Sequence, residues 1–180
     1  VARNNDSVVE KMESFIEKFN TVLASIADLT KYDAETQEAG ILLGNNTVDS
    51  VKTQLLNVIT KKFNDAGSIR TLSQMGFSIN SSTQLELDKE KFLEMMSSHA
   101  QDIEKFFSTA ETGFAAAIDK ILDYQTRSYD GMIAKTTASY DSRMGMMNDR
   151  IEYLTELLDS KEQRLYLQFA NMESALAKMQ

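Results

Sequence analysis

The chain has 180 residues, 42% of them hydrophobic and 26% charged, with a formal net charge of −8. This composition suits a folded or coiled-coil chain rather than a disordered one, and its acidity argues against a nucleic-acid binder or a protein that docks on anionic lipid. Cysteine is absent, so neither a disulfide framework nor a thiolate metal site is possible.

Proline is absent as well, which fits long uninterrupted helices. No run of about eighteen apolar residues occurs, so no transmembrane helix is expected. The first residues, VARNNDS, lack the basic-then-apolar pattern of a signal peptide. The chain begins at Val1 and not at Met, which predicts a fragment or a processed product. The length allows one or two domains.

Residues 7–29 read as an amphipathic helix. Ser7 with Glu10 three residues on has the spacing of a capping box. Met12, Phe15, Ile16, Phe19, Leu23 and Ile26 form one apolar face at helical spacing. Thr30 to Gly40 is polar and reads as a loop. Ile41, Leu42 and Leu43 form a short apolar clip closed by Gly44. Asn46 or Thr47 then caps a second helix, with Val48, Val51, Leu55, Val58, Ile59 and Phe63 inward and Gly67 ending it.

From Met75 to Leu87 the period changes to two. Phe77 and Ile79 alternate with polar residues, Asn80 to Thr83 supply turn chemistry, and Leu85 and Leu87 alternate again. This predicts a small β-hairpin. Asp88 caps a third helix running to about His99, with Phe92, Leu93 and Met96 apolar. Ile103, Phe106 and Phe107 form a short apolar knot. A further helix from about Gly113 to Tyr124 turns Phe114, Ala117, Ile118, Ile121 and Leu122 inward, and a bend or break is expected at Asp130–Gly131.

The last third dominates the pattern. Between Gly131 and Gln180 only Gly145 stands against a helix. Met144, Ile151, Leu158, Leu165, Met172 and Met179 recur at intervals of seven. A second row starts at Met147 and Leu154, fails at Lys161 and Gln168, and returns one position over at Phe169 and Leu176. This is the pattern of a helix that lays a stripe along another helix, with a stripe that rotates as it goes. Residues 131–179 would span roughly 73 Å at about 1.5 Å per residue, whereas a compact body of this chain length is about 40 Å across. Such a helix either protrudes or is interrupted. If it protrudes, its stripe needs a partner. The expected organisation is therefore mainly α: an α-rich body over residues 1–125 with a hairpin near 75–88, followed by a long helical stalk over 131–180.

Chemical signals are sparse. His99 is the only histidine, which removes every multi-histidine metal set and leaves a surface or helix-end role. Glu86, Asp88, Glu90 and Glu94 read as a capped, solvated helix start rather than as a cation site. No phosphate-binding glycine loop and no EF-hand spacing occurs. Asn45-Asn46-Thr47 and Asn80-Ser81-Ser82 match the glycosylation sequon, a pattern frequent by chance. The ten methionines serve either flexible packing or an adaptable surface. No catalytic residue, cofactor or metal is expected.

Particular words in the sequence point to a family. Tyr32-Asp33-Ala34-Glu35-Thr36 with Gly40 and Leu42-Leu43-Gly44-Asn45-Asn46-Thr47-Val48 resembles an inner-domain segment of the flagellar filament cap proteins, also called hook-associated protein two. Leu72–Phe77 (LSQMGF) and Leu85-Glu86-Leu87-Asp88 resemble the hairpin and capped helix that follow in that family. Gln168-Phe169-Ala170-Asn171-Met172-Glu173 with Leu176 and Met179 is similar to its C-terminal end.

The resemblance implies a structural protein of the bacterial flagellum, exported without a cleaved signal, extracellular, and located at the distal tip. Its implied partners are further copies of itself, in a homo-oligomeric plate, and flagellin, whose insertion and folding the cap promotes. It also implies that the stalk is a leg whose natural partner is an N-terminal helix of the same protein, lying outside this chain together with the outer plate domains. The helix-association seam is then Met144, Met147, Ile151, Leu154, Leu158, Leu165, Phe169, Met172, Leu176 and Met179. An exported coiled-coil adhesin or a secretion-translocator module is the alternative expectation. Neither reading involves nucleic acid or a membrane.

Overall fold

The computed structural model describes residues 5–64 and 67–179. The order is α1 (Asn5–Thr30), β1 (Tyr32–Asp33), β2 (Glu38–Ala39), α2 (Asn46–Thr60), a 3-10 turn (Leu72–Met75), β3 (Phe77–Ile79), β4 (Leu85–Leu87), α3 (Lys89–Ser98), α4 (Ala100–Ser108), α5 (Phe114–Thr126) and α6 (Met132–Met179). The fold is mainly α with two small antiparallel strand pairs. It divides into two compact units, the first ending at Ile133 and the second beginning at Ala134.

The first unit folds around one apolar cluster. Phe19 and Leu23 of α1, Leu55, Val58 and Ile59 of α2, and Phe92, Ile103, Phe106 and Phe114 of α3 to α5 are all buried in it. The helical spacing seen in α1 thus faces this core, with Met12, Phe15 and Ile16 partly buried at its edge. Aromatic rings join the helices. Phe106 stacks on Phe114 at 5.8 Å and meets Phe63 edge-on at 5.2 Å, geometries favoured by the ring quadrupole.

The hairpin β3–β4 pairs Phe77 with Leu87, Ser78 with Glu86 and Ile79 with Leu85. Asn80 closes its turn: the side-chain oxygen accepts from the amides of Ser82 and Gln84. Gly76 leads into β3 with φ +93, a left-handed conformation that favours glycine. A Cβ there would lie 2.8 Å from the Asp88 carbonyl oxygen. Asp88 caps α3, accepting from the Lys91 amide at 3.0 Å, as its position before the helix leads one to expect.

Several boundaries differ from the sequence reading. α1 is already helical at Asn5, so Ser7 lies in its first turns and is not its N-cap. The stretch after α1 is a hairpin rather than a loop: Tyr32 pairs with Ala39 and Asp33 with Glu38. The Asp33 carboxylate builds that turn by accepting from the Glu35 and Thr36 amides at 2.9 and 3.1 Å. The cap of α2 is Asn45, whose oxygen accepts from Thr47 and Val48, and not Asn46 or Thr47.

α2 ends at Thr60 and does not continue to Gly67. Lys61 turns extended with ψ 144, and the Phe63 amide bonds the Arg70 carbonyl at 2.8 Å. That loop contact carries Phe63 into the aromatic cluster, where a further helical turn would not. The apolar knot at 103–107 is part of α4. The 41–43 clip is a turn with Ile41 and Leu43 exposed, and Leu93 and Leu122 also face outward.

The expected break before the long helix is present. α5 stops at Thr126, Arg127 takes ψ 124, and the Gly131 amide bonds the Arg127 carbonyl at 2.9 Å. A Cβ on Gly131 would come within 2.4 Å of that oxygen; the tight turn has no room for a side chain.

Candidate assembly interface

α6 runs unbroken for 48 residues and buries none of its side chains. The absence of proline allows this length, and Gly145 does not interrupt the helix. A helix normally draws most of its stability from an apolar face packed on something else, so the exposed apolar side chains of α6 are the candidate interface.

All ten residues of the anticipated seam lie on this helix, and all are exposed. Met144, Met147, Ile151, Leu154 and Leu158 are 56, 60, 62, 41 and 65% accessible. Leu165, Phe169, Met172, Leu176 and Met179 are similarly open. Five heptad steps separate Met144 from Met179. At about 20° of drift per heptad the row turns by roughly 100° on a straight helix. A partner following the stripe must therefore supercoil with it or hand over to another.

The structure adds to this surface. Ile133 and Tyr140 are also exposed and stand fourteen and seven residues before Met147. The second row therefore reaches back to the start of α6, and the seven-residue spacing carried that signal. Met146, Tyr153, Leu157, Tyr166 and Leu167 are further exposed apolar residues off the two rows. Arg150 lies 5.6 Å from the Tyr153 ring centroid, a cation–π contact between neighbouring turns.

Elsewhere the polar groups serve the fold. His99 sits between α3 and α4 with its Nδ1 2.8 Å from the Ser98 hydroxyl. Glu86 accepts from the Asn80 amide and Asp88 is the cap of α3, so two members of that acidic cluster have structural partners. Asn45 and Asn80, the sequon asparagines, both spend their side-chain oxygens on backbone amides. No group of three His, Cys, Asp or Glu placed to hold a metal exists among the described residues. No helix among them is long and apolar enough to cross a membrane.

Two residues that no local pattern announced stand out in the first unit. Asn20 of α1 bonds both backbone groups of Leu85 in β4. Gln125, near the end of α5, is 3% exposed, and its amide has no hydrogen-bond partner among the described residues.

A mainly helical unit followed by a 48-residue helix with an exposed apolar stripe defines a mainly α protein whose most prominent described surface is an apolar helix face. The family model for the flagellar hook-associated protein 2 C-terminus matches residues 1–180, and the chain belongs to that family. It is 20% identical over 179 residues to the lateral flagellar hook-associated protein 2 of Vibrio parahaemolyticus, covering 99% of this chain and 39% of that protein. It is 25% identical over 181 residues to the polar form of the same organism, covering 100% of this chain and 27% of that protein. The Thermotoga maritima flagellar hook-associated protein 2 is 24% identical over 200 residues, 98% of this chain and 32% of that protein. The chain thus spans between 27% and 39% of the length of these relatives. The D1-D2-D3 domains of the flagellar cap protein FliD from Escherichia coli share its fold, with a TM-score of 0.63 at 24% identity over 71% of this chain and 35% of that one.

Proposed function

We propose that this chain is the C-terminal portion of a flagellar filament cap subunit, and that it works through surfaces and not through catalysis. In this reading the subunits form a homo-oligomer at the distal, extracellular tip of the filament. The assembly holds arriving flagellin and promotes its insertion and folding. α6 is the leg, and its seam from Met144 to Met179 is the line along which another helix packs. The natural occupant is an N-terminal helix of the same protein; in its absence a second copy takes the place.

The observation that carries the reading is the exposed heptad seam on an uninterrupted 48-residue helix, in a chain of the hook-associated family. Burying each large apolar seam residue contributes about 1.5–3 kcal/mol, so a handful of them suffices to hold two helices together. The test is the solution mass of the chain by light scattering at several concentrations, for wild type and for Leu158→Asp. Concentration-dependent association at high salt, where contacts between exposed charges are screened, that Leu158→Asp abolishes supports the seam. A monomer at every concentration, or association that ignores Leu158→Asp, overturns it.

A further inference from the structure

The first unit carries two surface features of opposite character. One is the hairpin end. Backbone bonds from Gly40 to Lys31 at 2.8 Å and from Leu42 to Leu29 at 2.9 Å hold residues 28–43 together as one projection. Four acids (Asp28, Asp33, Glu35, Glu38) stand there against one base, Lys31, a balance of minus three. Leu29, Tyr32, Ile41 and Leu43 are 41, 57, 85 and 49% exposed on the same projection. No large aliphatic residue among the described ones is more exposed than Ile41.

The other is a cavity of about 830 Å³ where the end of α2 meets α5. Lys61, Lys62 and Lys120 line it, and Glu111 is the one acid among its described lining residues. Phe63 and Ile121 supply apolar wall. Two of the lysines have partners: Lys61 lies 5.2 Å from the Phe63 ring centroid, and Lys120 donates to the Glu111 carbonyl oxygen at 3.0 Å. A net basic cavity is a local inversion in a chain of charge −8.

We propose that copies of this chain associate head to tail, the acidic hairpin of one seating on the basic cavity of the next. Both charge and apolar character match. Geometry forbids the match within one copy. The hairpin runs directly into Asn45, the N-cap of α2, while the cavity lies at the other end of that helix. Fifteen residues of α2 separate the two by about 22 Å. A contact between two different patches at opposite ends is heterologous, so it repeats from copy to copy and closes a ring or propagates. The inference rests on the homo-oligomer reading above but on none of the seam residues.

The test uses the full chain carrying Leu158→Asp, which removes seam association, at low and high salt. Sedimentation should show weak association that salt suppresses, because exposed charges are screened. Lys61→Glu with Lys62→Glu, or Glu35→Lys with Glu38→Lys, should each weaken it about tenfold, the scale expected when like charges are juxtaposed. Combining both reversals in one chain should restore it. A combined variant as weak as either pair overturns the proposal, and so does a Leu158→Asp chain that is monomeric at low salt while wild type still associates; the seam reading survives both results.

A second measurement guards against misfolded charge variants. The chain has no cysteine, so Glu35→Cys and Lys62→Cys can be joined by a short bismaleimide. The mixture should give a crossed dimer and the double variant a ladder. A yield no higher than that of Ser98→Cys mixed with Lys62→Cys refutes the contact.

Discussion

Asn20 holds Leu85 by both of its backbone polar groups. Its Nδ2 donates to the Leu85 carbonyl at 2.9 Å, and its Oδ1 accepts from the Leu85 amide at 2.8 Å. A side-chain amide thus takes the place of a neighbouring strand and ties α1 to β4 across 65 residues of sequence. Leu85 itself is 1% exposed, so water is a poor substitute partner. Asn20→Ala should destabilise the first unit by about 1–3 kcal/mol for each backbone group left unpaired. Asn20→Asp, which keeps the acceptor and loses the donor, should fall between. Urea unfolding followed by circular dichroism measures both.

Phe106 lies in the middle of three of the aromatic contacts that join the helices. It is fully buried and touches Phe63, Phe107 and Phe114 with centroids at 5.2, 5.2 and 5.8 Å. Phe106→Ala should lower stability by about 3–5 kcal/mol, the transfer term plus the cavity left among rings that cannot all collapse inward. Phe106→Leu should cost clearly less. Equilibrium unfolding of the two variants gives the comparison.

Gly145 stands in the interior of α6, with nothing within 4 Å of the place a Cβ would occupy. Replacing it with alanine should stabilise that helix by about 1 kcal/mol through backbone entropy alone. Far-ultraviolet circular dichroism should show a higher helix signal on warming for Gly145→Ala than for wild type. An unchanged thermal profile would mean that something covers this turn.

The turn amides of Thr36 and Glu35, in that order of influence, hold the Asp33 carboxyl below the usual carboxylate range. A depressed folded value means the unfolded state takes up the proton first. The carboxylate's contribution is therefore present above about pH 3.9 and is lost as pH falls through the lower folded value. The Tm difference between wild type and Asp33→Ala should be constant at neutral pH and shrink below pH ~4. A difference that grows on acidification would contradict the assignment.

Periodicity made much of this molecule legible. The 3.6-residue spacing of Phe19, Leu23 and Ile26 and the two-residue alternation around Phe77 and Leu85 are enforced by local geometry, so they can be read without coordinates. The same holds for the seven-residue rows of α6, which the structure keeps on one continuous helix. Contacts set by distant partners were not legible. Phe63 leaves the helix because Arg70 and the aromatic cluster claim it, and nothing between Thr60 and Phe63 announces this. Two-residue strands such as β1 and β2 are too short to show alternation. Leu93 and Leu122 sit at apolar-looking positions that the packing leaves outside, and Asn20 looks like any polar residue on a helix.

The exposure of α6 has a thermodynamic corollary. A helix with no buried residue draws little of its stability from tertiary packing, so its melting follows helix–coil statistics, fraying from the ends with a small enthalpy per step. The first unit, built on one interlocked core, melts in an all-or-none fashion. Heating the isolated chain should therefore give a sloping loss of ellipticity from α6 beneath a sharp calorimetric peak from residues up to Ile133. Amide exchange along α6 should be graded from its centre outward instead of uniform. Any partner laid along the seam would convert that slope into a second cooperative transition, making the shape of the melting curve itself a reporter of occupancy.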